Sequence, residues 1–312
     1  MTTEEIEDYI NAVVEHAINN VTYSNYFVSQ IKSLANKVMT DCLNILLSAE
    51  RSNTKRQKGE VDNEIAHILV RFENEVNEFI AKEMAKVIES ETEYLNSIVG
   101  PALGISLIVP ATALSILSMV PIANAGIPKE FGKYSADGLR KIYDSMTNQS
   151  YVFGEDYEDL VEQYESRFNT FSRGLDAEAE TVGYSLPNEF DRIVYTKNDK
   201  KIYEYVWLSI LDTTTCLECA ALSNTRYERI EDVPYFPRHE RDRCTILTIS
   251  KEMEDQIPES YSEWFEKQPK EKKYEALGKT RFQLYEQGMK IKQFVNNGKI
   301  TPLKDLKPNQ TE

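Results

Sequence analysis

Cys216 and Cys219 form a C-x-x-C, His239 follows twenty residues after Cys219, and Cys244 follows five after that. Three of the four cysteines and one of the three histidines therefore fall within 29 residues. Two thiolates on a tight turn, an imidazole and a third thiolate make a Cys₃His donor set, which closes a tetrahedral Zn²⁺ site against water. Sulfur and imidazole donors favour Zn²⁺ over Mg²⁺ or Ca²⁺. The closing H-x4-C spacing lies at the edge of what such sites use. The same residues admit other chemistries. A redox C-x-x-C would open a helix after a strand in a βαβ unit, which is not obvious here. A Cys–His nucleophile pair would need one exposed, low-pKa thiolate, and no feature selects one. A cluster that packs without metal, as reduced thiols or a disulfide, stays open beside the zinc reading. Cys42, on an apolar helical stripe, reads as a small buried hydrophobe. His16 and His67 read as packed or solvated helix residues.

The elements that must position this cluster follow from the hydrophobic period. Residues 3–49 read as helix, opened by a Thr2–Glu5 capping box and an acidic first turn. Ile6, Ile10, Val13, Val14 and Ile18 recur at helical spacing, as do Phe27, Ile31, Leu34, Val38, Cys42 and Leu46, with an expected break across Asn19–Ser24. Arg51–Glu60 reads as a polar hinge. A long amphipathic helix then carries Val61, Ile65, Ile68, Leu69, Phe72, Val76, Phe79, Ile80, Met84, Val87 and Ile88 on one face. From Tyr94 to Pro128 no residue is charged, and 18 of the 28 residues from Ile98 to Ala125 are Ala, Val, Ile, Leu or Met. That length suffices to cross a bilayer. Pro101, Pro110 and Pro121 interrupt it, however, so burial against this chain or a partner is the plainer reading. Leu103, Ile108, Leu114 and Leu117 are its candidate membrane or partner contacts.

Helical patterning resumes from Phe131 to about Thr181. The stretch around Ile193, Val194, Tyr195, Tyr203, Tyr205, Val206, Trp207 and Ile210 reads as strands about a turn at Asn198-Asp199, and RCTILTIS as one more. Helix returns after Pro258, punctuated by Gly278, Gly288 and Gly298. The expected fold is α+β: a long helical N-terminal half, a small Cys/His-containing strand-rich domain and C-terminal helices. The expected organisation is a helical region over 1–58, the amphipathic helix over 59–97, the apolar segment over 98–128, a helical region over 129–185, and an α+β domain with a basic helical tail over 186–312.

The chain has 312 residues, 36 Lys+Arg against 51 Asp+Glu, and a net charge of −15. Its hydrophobic and charged fractions are those of a folded protein, which excludes disorder of the whole chain. Four cysteines are too few for a disulfide scaffold. The acidic balance argues against coating nucleic acid over the whole surface. The acidic start lacks the basic and apolar regions of a secretory signal, so a reducing cytoplasm is expected, at least until assembly. Charge is uneven: Trp264–Glu312 holds 11 basic and 6 acidic residues, a net +5, leaving −20 on the rest. A basic tail on an acidic body suits DNA or an acidic partner, or is an ordinary solvated face.

Around the cysteines the chain resembles the phage minor head proteins, the Mu F-like or head morphogenesis family. The resemblance is carried by Trp207, Asp212, Thr215, Cys216 and Cys219, then Pro234, Pro237, His239 and Arg243-Cys244. Beyond these, Trp264, Gln268, Pro269, Leu277, Gly278, Arg281, Leu284 and Gly288 follow the family's W-x-x-x-Q-P … L-G-x-x-R-x-x-L-x-x-x-G order, and TPLKDL closes it. It spans roughly Asp191 to Leu306. One departure stands out. The family's closing C-R-C is D-R-C here, with Asp242 in place of the first cysteine, so Asp242 would have to substitute as an oxygen ligand if that cysteine held metal.

The resemblance implies a virion component of several copies, at the portal or capsid interior, present in the host cytoplasm during assembly. It implies portal and capsid proteins as partners, help in head assembly, DNA packaging or genome delivery, and no catalytic activity. Genomic DNA at the basic tail and transient membrane contact through 98–125, as in a membrane-active ejection protein, are compatible extensions. In this setting Cys216, Cys219, His239 and Cys244 are a metal staple, and Trp207, Asp212, Trp264 and Arg281 are packing or partner positions. Some relatives are linked to an ADP-ribosyltransferase-like fold, and Glu178 and Glu180 have the E-x-E spacing of those enzymes. That spacing is common by chance in charged helices.

Overall fold

The structure, a computed structural model, describes residues 1–122 and 126–306. Residues 123–125 of the apolar segment and the last six residues of the basic tail lie outside the described residues.

Helix α1 (Thr3–Ala49) starts where Thr2 Oγ1 accepts from the Glu5 N–H at 3.2 Å and Glu5 returns the bond to the Thr2 N–H at 2.7 Å. It runs unbroken through Asn19–Ser24, where the sequence led us to expect a break. Asn20 and Ser24 lie on its buried face, in register with Val13, Ala17 and Phe27. Their polarity is met locally, because Ser24 Oγ donates to the Glu180 carbonyl at 2.8 Å. No glycine or proline interrupts the helix there, so nothing stops it.

Helix α2 (Lys55–Tyr94) packs on α1 and passes through a π-helical turn (Leu95–Val99) into the short α3 (Gly100–Leu103). The uncharged stretch that follows is folded against the helices. Its described residues include the one-turn α4 (Ala113–Leu117), and among the described residues no helix is long and apolar enough to cross a membrane. Leu107, Ala113, Leu117 and Ile122 are buried, whereas Ile108, Leu114, Ile116 and Met119 are exposed. Leu103 packs at the core's edge. The Asn198 side chain clamps the segment, accepting from the Ile108 N–H at 3.0 Å and donating to its carbonyl at 2.9 Å.

Helix α5 (Phe131–Phe153) packs on α2, and α6 (Tyr157–Asn198) packs along α1. The strand expected at Ile193–Tyr195 is helix: α6 continues through it, and through position 186, before ending at Asn198. β-branched and aromatic residues lower helix propensity by only tenths of a kcal/mol, which tertiary burial overrides. Every residue from Thr181 to Arg192 is buried, because α6 is enclosed on all sides there.

The small sheet follows. β1 (Glu204–Leu208) is central, with β2 (Arg226–Tyr227) and β3 (Thr245–Ile249) antiparallel on either side in the order β2-β1-β3; Val206 faces Leu247 and Trp207 faces Ile246. Helix α7 (Leu217–Leu222) sits between β1 and β2. The sheet shares one hydrophobic core with the helical half. A second, smaller core joins α7 to α8 (Tyr261–Lys267), α9 (Lys270–Glu286) and the stretch from Met289 to Phe294. Gly278 kinks α9 at φ +68, a conformation other residues adopt only under strain. A two-stranded hairpin, β4 (Val295–Asn296) with β5 (Lys299–Ile300), ends the fold. The α+β architecture with long N-terminal helices, a small strand region and C-terminal helices is the one expected from sequence.

Candidate metal centre

The cysteine cluster is built by two loops that α6 holds in place. The first loop leaves β1 and enters α7. Asp212 Oδ1 accepts from the Thr214 N–H at 2.9 Å, folding the chain back so that Cys216 caps α7 and its Sγ accepts from the Cys219 N–H at 3.3 Å. The second loop, residues 234–244, leads into β3. Arg243 joins the two, donating to Asp212 Oδ2 at 2.8 Å and to Oδ1 at 3.0 Å. Burial raises the Asp212 carboxyl, but the Arg243 and Thr214 hydrogen bonds outweigh it and hold it below the usual range.

Helix α6 anchors the second loop at three points. Thr181 Oγ1 accepts from the Arg241 N–H at 3.0 Å, and the Tyr184 hydroxyl donates to the Arg243 carbonyl. The buried Arg192 guanidinium donates to the carbonyls of Ile230, Val233 and Pro234 at 3.0, 2.8 and 3.2 Å and lies 4.1 Å over the Tyr235 ring. Trp207 of β1 is fully buried and stacks on Phe236 at 4.7 Å.

Two triads of donor atoms result, and they share Cys219. Cys216, Cys219 and His239 form one, and Cys219, Asp242 and Cys244 form the other, with the donor atoms of each triad all within 4.8 Å of one another. These groups are close enough to hold a metal ion. His239 Nε2 lies 2.9 Å from Cys216 Sγ and 3.4 Å from Cys219 Sγ. Sulfur and nitrogen ligands on one tetrahedral zinc stand about 3.5 Å apart, given their usual bond lengths, so the Cys219–His239 edge has that length and the Cys216–His239 edge is shorter. The other imidazole nitrogen, Nδ1, is 2.7 Å from the Glu240 carbonyl, which leaves Nε2 facing the sulfurs, as in a metal-ligating histidine.

Asp242 is buried, and both its oxygens are used: Oδ2 accepts from the Arg238 N–H at 2.9 Å and Oδ1 from the Cys244 N–H at 3.1 Å. It orders the loop that presents His239 and Cys244. Its Oδ1, 3.7 Å from Cys219 Sγ, remains within reach of an ion.

The electrostatics favour one thiolate, at Cys216, and oppose ionisation of the other two thiols. Hydrogen bonds from Cys219 and then His239 pull the Cys216 thiol down to about 5, and the Cys216 sulfur raises His239 to about 9. Cys219 is pushed up by its contacts with Cys216 and Cys244, and Cys244 by burial. All four cysteines are free thiols. The space among the donors is only about 20 Å³. That admits one water-sized guest, since a single water needs roughly 10–15 Å³, and no organic substrate.

The remaining sequence candidates lie elsewhere. Trp264 packs in the second core, tilted on Tyr261, and Arg281 donates to the Thr301 carbonyl at 3.3 Å. In the basic tail, Lys267, Lys270, Lys273 and Lys290 pair with Glu259, Glu286 and Glu266. Glu178 accepts from the Tyr134 hydroxyl at 3.0 Å, and Glu180 pairs with Arg241 at 2.9 Å. Cys42 is buried on α1, as expected. The residues that sequence reasoning missed are Thr181, Tyr184 and Arg192. They sit in a helical stretch partly read as strand, and a buried Arg among apolar residues was the one available signal.

Compared with protein-family models, curated proteins and solved structures, the chain matches none.

Proposed function

We propose that the protein is a zinc-stapled structural minor head protein of a tailed phage, bound at the portal or capsid interior and assisting head assembly, DNA packaging or genome delivery. The observation that carries the structural reading is the pair of donor triads that share Cys219, namely Cys216–Cys219–His239 and Cys219–Asp242–Cys244, with about 20 Å³ among them and so no room for an organic substrate. Catalytic zinc sites keep an open position, whereas structural ones are closed. Bound there, zinc would cross-link the β1–α7 loop to the loop entering β3 and supply folding free energy. The chain's residues do the rest. Asp242 and the Glu240 carbonyl orient the ligands, Arg243 and Asp212 tie the loops, and α6 carries both.

The virion assignment rests on the resemblance around Trp207, Cys216, His239 and Cys244 and on its second block from Trp264 to Gly288. Gly278 gives that block a physical reason for its glycine, since the kink it makes turns Leu277 and Phe282 into the second core. The exposed Ile108, Leu114, Ile116 and Met119 supply an apolar face for a portal or capsid neighbour. The same exposure favours a second reading, membrane contact during genome delivery.

Elemental mass spectrometry of freshly reduced protein, beside the Cys216→Ser/Cys219→Ser double variant, tests the staple. One zinc per chain, lost in the variant with a lower Tm, is the expected result, and metal-free protein would remove it. Gradient-purified particles from a host carrying the gene test the virion role. The chain should co-sediment with filled or empty heads, and its absence from both would end that reading.

A further inference from the structure

A second group of metal-type donors lies in the helical half, in the seam between α1, α2 and α6. His16 of α1, Glu91 of α2 and Asp191 of α6 bring an imidazole nitrogen and two carboxylate oxygens within 4.8 Å of one another. The three residues are far apart in sequence and on three different helices. We propose that they form a binding site for one divalent first-row cation of the Mn²⁺ or Zn²⁺ class, which pins the three helices together.

Asp191 makes the strongest case. It is only 7% exposed, and its Oδ1 has no hydrogen-bond partner. Among the described residues, no Lys or Arg pairs with Asp191 or with the buried Glu91. Lys86, which borders the same cleft, is held by Glu83 at 2.6 Å. Two carboxyl groups are thus buried together with one imidazole and no fixed cation. Buried carboxylates without a partner are costly, and coordination to a metal is one of the few arrangements that keeps them. A bound cation would supply the missing charge and occupy the free Asp191 oxygen.

The imidazole is placed for the same task. Tyr94 stacks on His16 with ring centroids 3.7 Å apart and planes 6° from parallel, which fixes the ring. Its Nε2 points at Glu91 Oε2, 2.8 Å away. A cleft of about 470 Å³, bordered by His16, Asn20, Tyr23, Glu91 and Tyr94, opens to solvent on the His16–Glu91 side of the cluster, while Asp191 lies behind it, so a hydrated ion would enter past His16 and Glu91. The donor chemistry narrows the guest. One imidazole and two carboxylates suit Mn²⁺, Fe²⁺ or Zn²⁺, the absence of sulfur disfavours Cu⁺, and the nitrogen disfavours Ca²⁺. This site is independent of the cysteine centre and of the virion assignment.

Mn²⁺ titration followed by electron paramagnetic resonance tests it, using the full-length chain after chelator treatment. The Cys216→Ser/Cys219→Ser variant serves as a second background that removes the sulfur centre. Wild type and that variant should each bind one Mn²⁺ and gain thermal stability from it. Asp191→Asn should weaken binding at least tenfold and abolish the thermal gain. His16→Ala, on a side chain less buried than Asp191, gives the same reading should Asp191→Asn fail to fold. No Mn²⁺ bound by wild type at millimolar concentration, or unchanged affinity in His16→Ala or in a folded Asp191→Asn, would overturn the proposal.

Discussion

The two donor clusters of this protein are held by opposite means. The cysteine centre is assembled from two loops and one short helix within 29 residues. Its geometry depends on Asp212, Asp242 and Arg192, whose side chains hydrogen-bond loop backbone, and on Arg243, which pairs with the Asp212 carboxylate. The His16–Glu91–Asp191 cluster sits on three long helices whose positions are fixed by packing over many turns. Loops of this kind lose their order when their anchors go. Long packed helices keep theirs, because a single donor contributes little to the seam. With a metal bound, the sulfur centre would stabilise the loops around it, whereas the helical cluster is held in place by the helices around it. Metal should matter for folding at the first and act as a modest clamp at the second.

The largest effect is expected from Cys219→Ser. Cys219 belongs to both triads, so the substitution removes an edge from each. It should abolish zinc binding and lower stability by several kcal/mol, the scale on which structural zinc acts, as read by denaturant unfolding and elemental analysis. Cys244→Ser touches one triad and should cost less. Equal losses would mean that the donors of both triads act on one ion as a single centre.

Arg192→Met comes next. It keeps an unbranched apolar stem and deletes the guanidinium with its three bonds to the carbonyls of Ile230, Val233 and Pro234. Leaving buried carbonyls unpaired costs about 1–3 kcal/mol each, and partial rehydration brings the expected total to roughly 3 kcal/mol. The comparison between the regions sharpens if this variant also lowers zinc affinity while Mn²⁺ binding at the helical cluster is unchanged. It breaks if both sites weaken together, since Arg192 neighbours Asp191 in sequence.

The same contrast governs what was legible in the sequence. Cys216, Cys219, His239 and Cys244 announce themselves because they are close in sequence and of a rare type. His16, Glu91 and Asp191 do not, because only the packing of α1, α2 and α6 joins them. One sign was readable: Glu91 falls four residues after Val87, on the same face as Val76, Ile80 and Val87, where a carboxylate is out of place. The helices α1 and α2, and the strands around Val206 and Ile246, followed from capping and periodicity. The misread stretches have specific causes. Asn20 and Ser24 look like a break, yet they are polar residues on a buried face, Asn20 bonded to His16 on α1 itself and Ser24 to the Glu180 carbonyl on α6. Ile193-Val194-Tyr195 looks like a strand because α6 is enclosed there, and full burial erases the helical period that would identify it.

Gly183→Ala is expected to have the smallest effect on stability and bears most directly on the helical seam. A Cβ at Gly183 would stand 2.9 Å from Phe27 Cβ and 3.1 Å from Ser24 Cα. The second contact is backbone, so α1 and α6 must separate slightly. Overpacking of this kind costs about 1–3 kcal/mol, offset in part by the higher helix propensity of alanine. A net loss of about 1 kcal/mol is expected from thermal unfolding. The two helices run antiparallel, so His16 lies eight residues before Ser24 and Asp191 eight after Gly183. At 1.5 Å per residue, the added methyl sits about 12 Å from the helical cluster along the seam. A shift of a few tenths of an ångström carried over that distance alters a three-donor site far more than a core of packed side chains. Gly183→Ala should therefore weaken Mn²⁺ binding measurably while leaving the zinc stoichiometry of the cysteine centre at its wild-type value. If the zinc falls instead, α6 transmits strain between the regions, and the two clusters are coupled through the one helix they share.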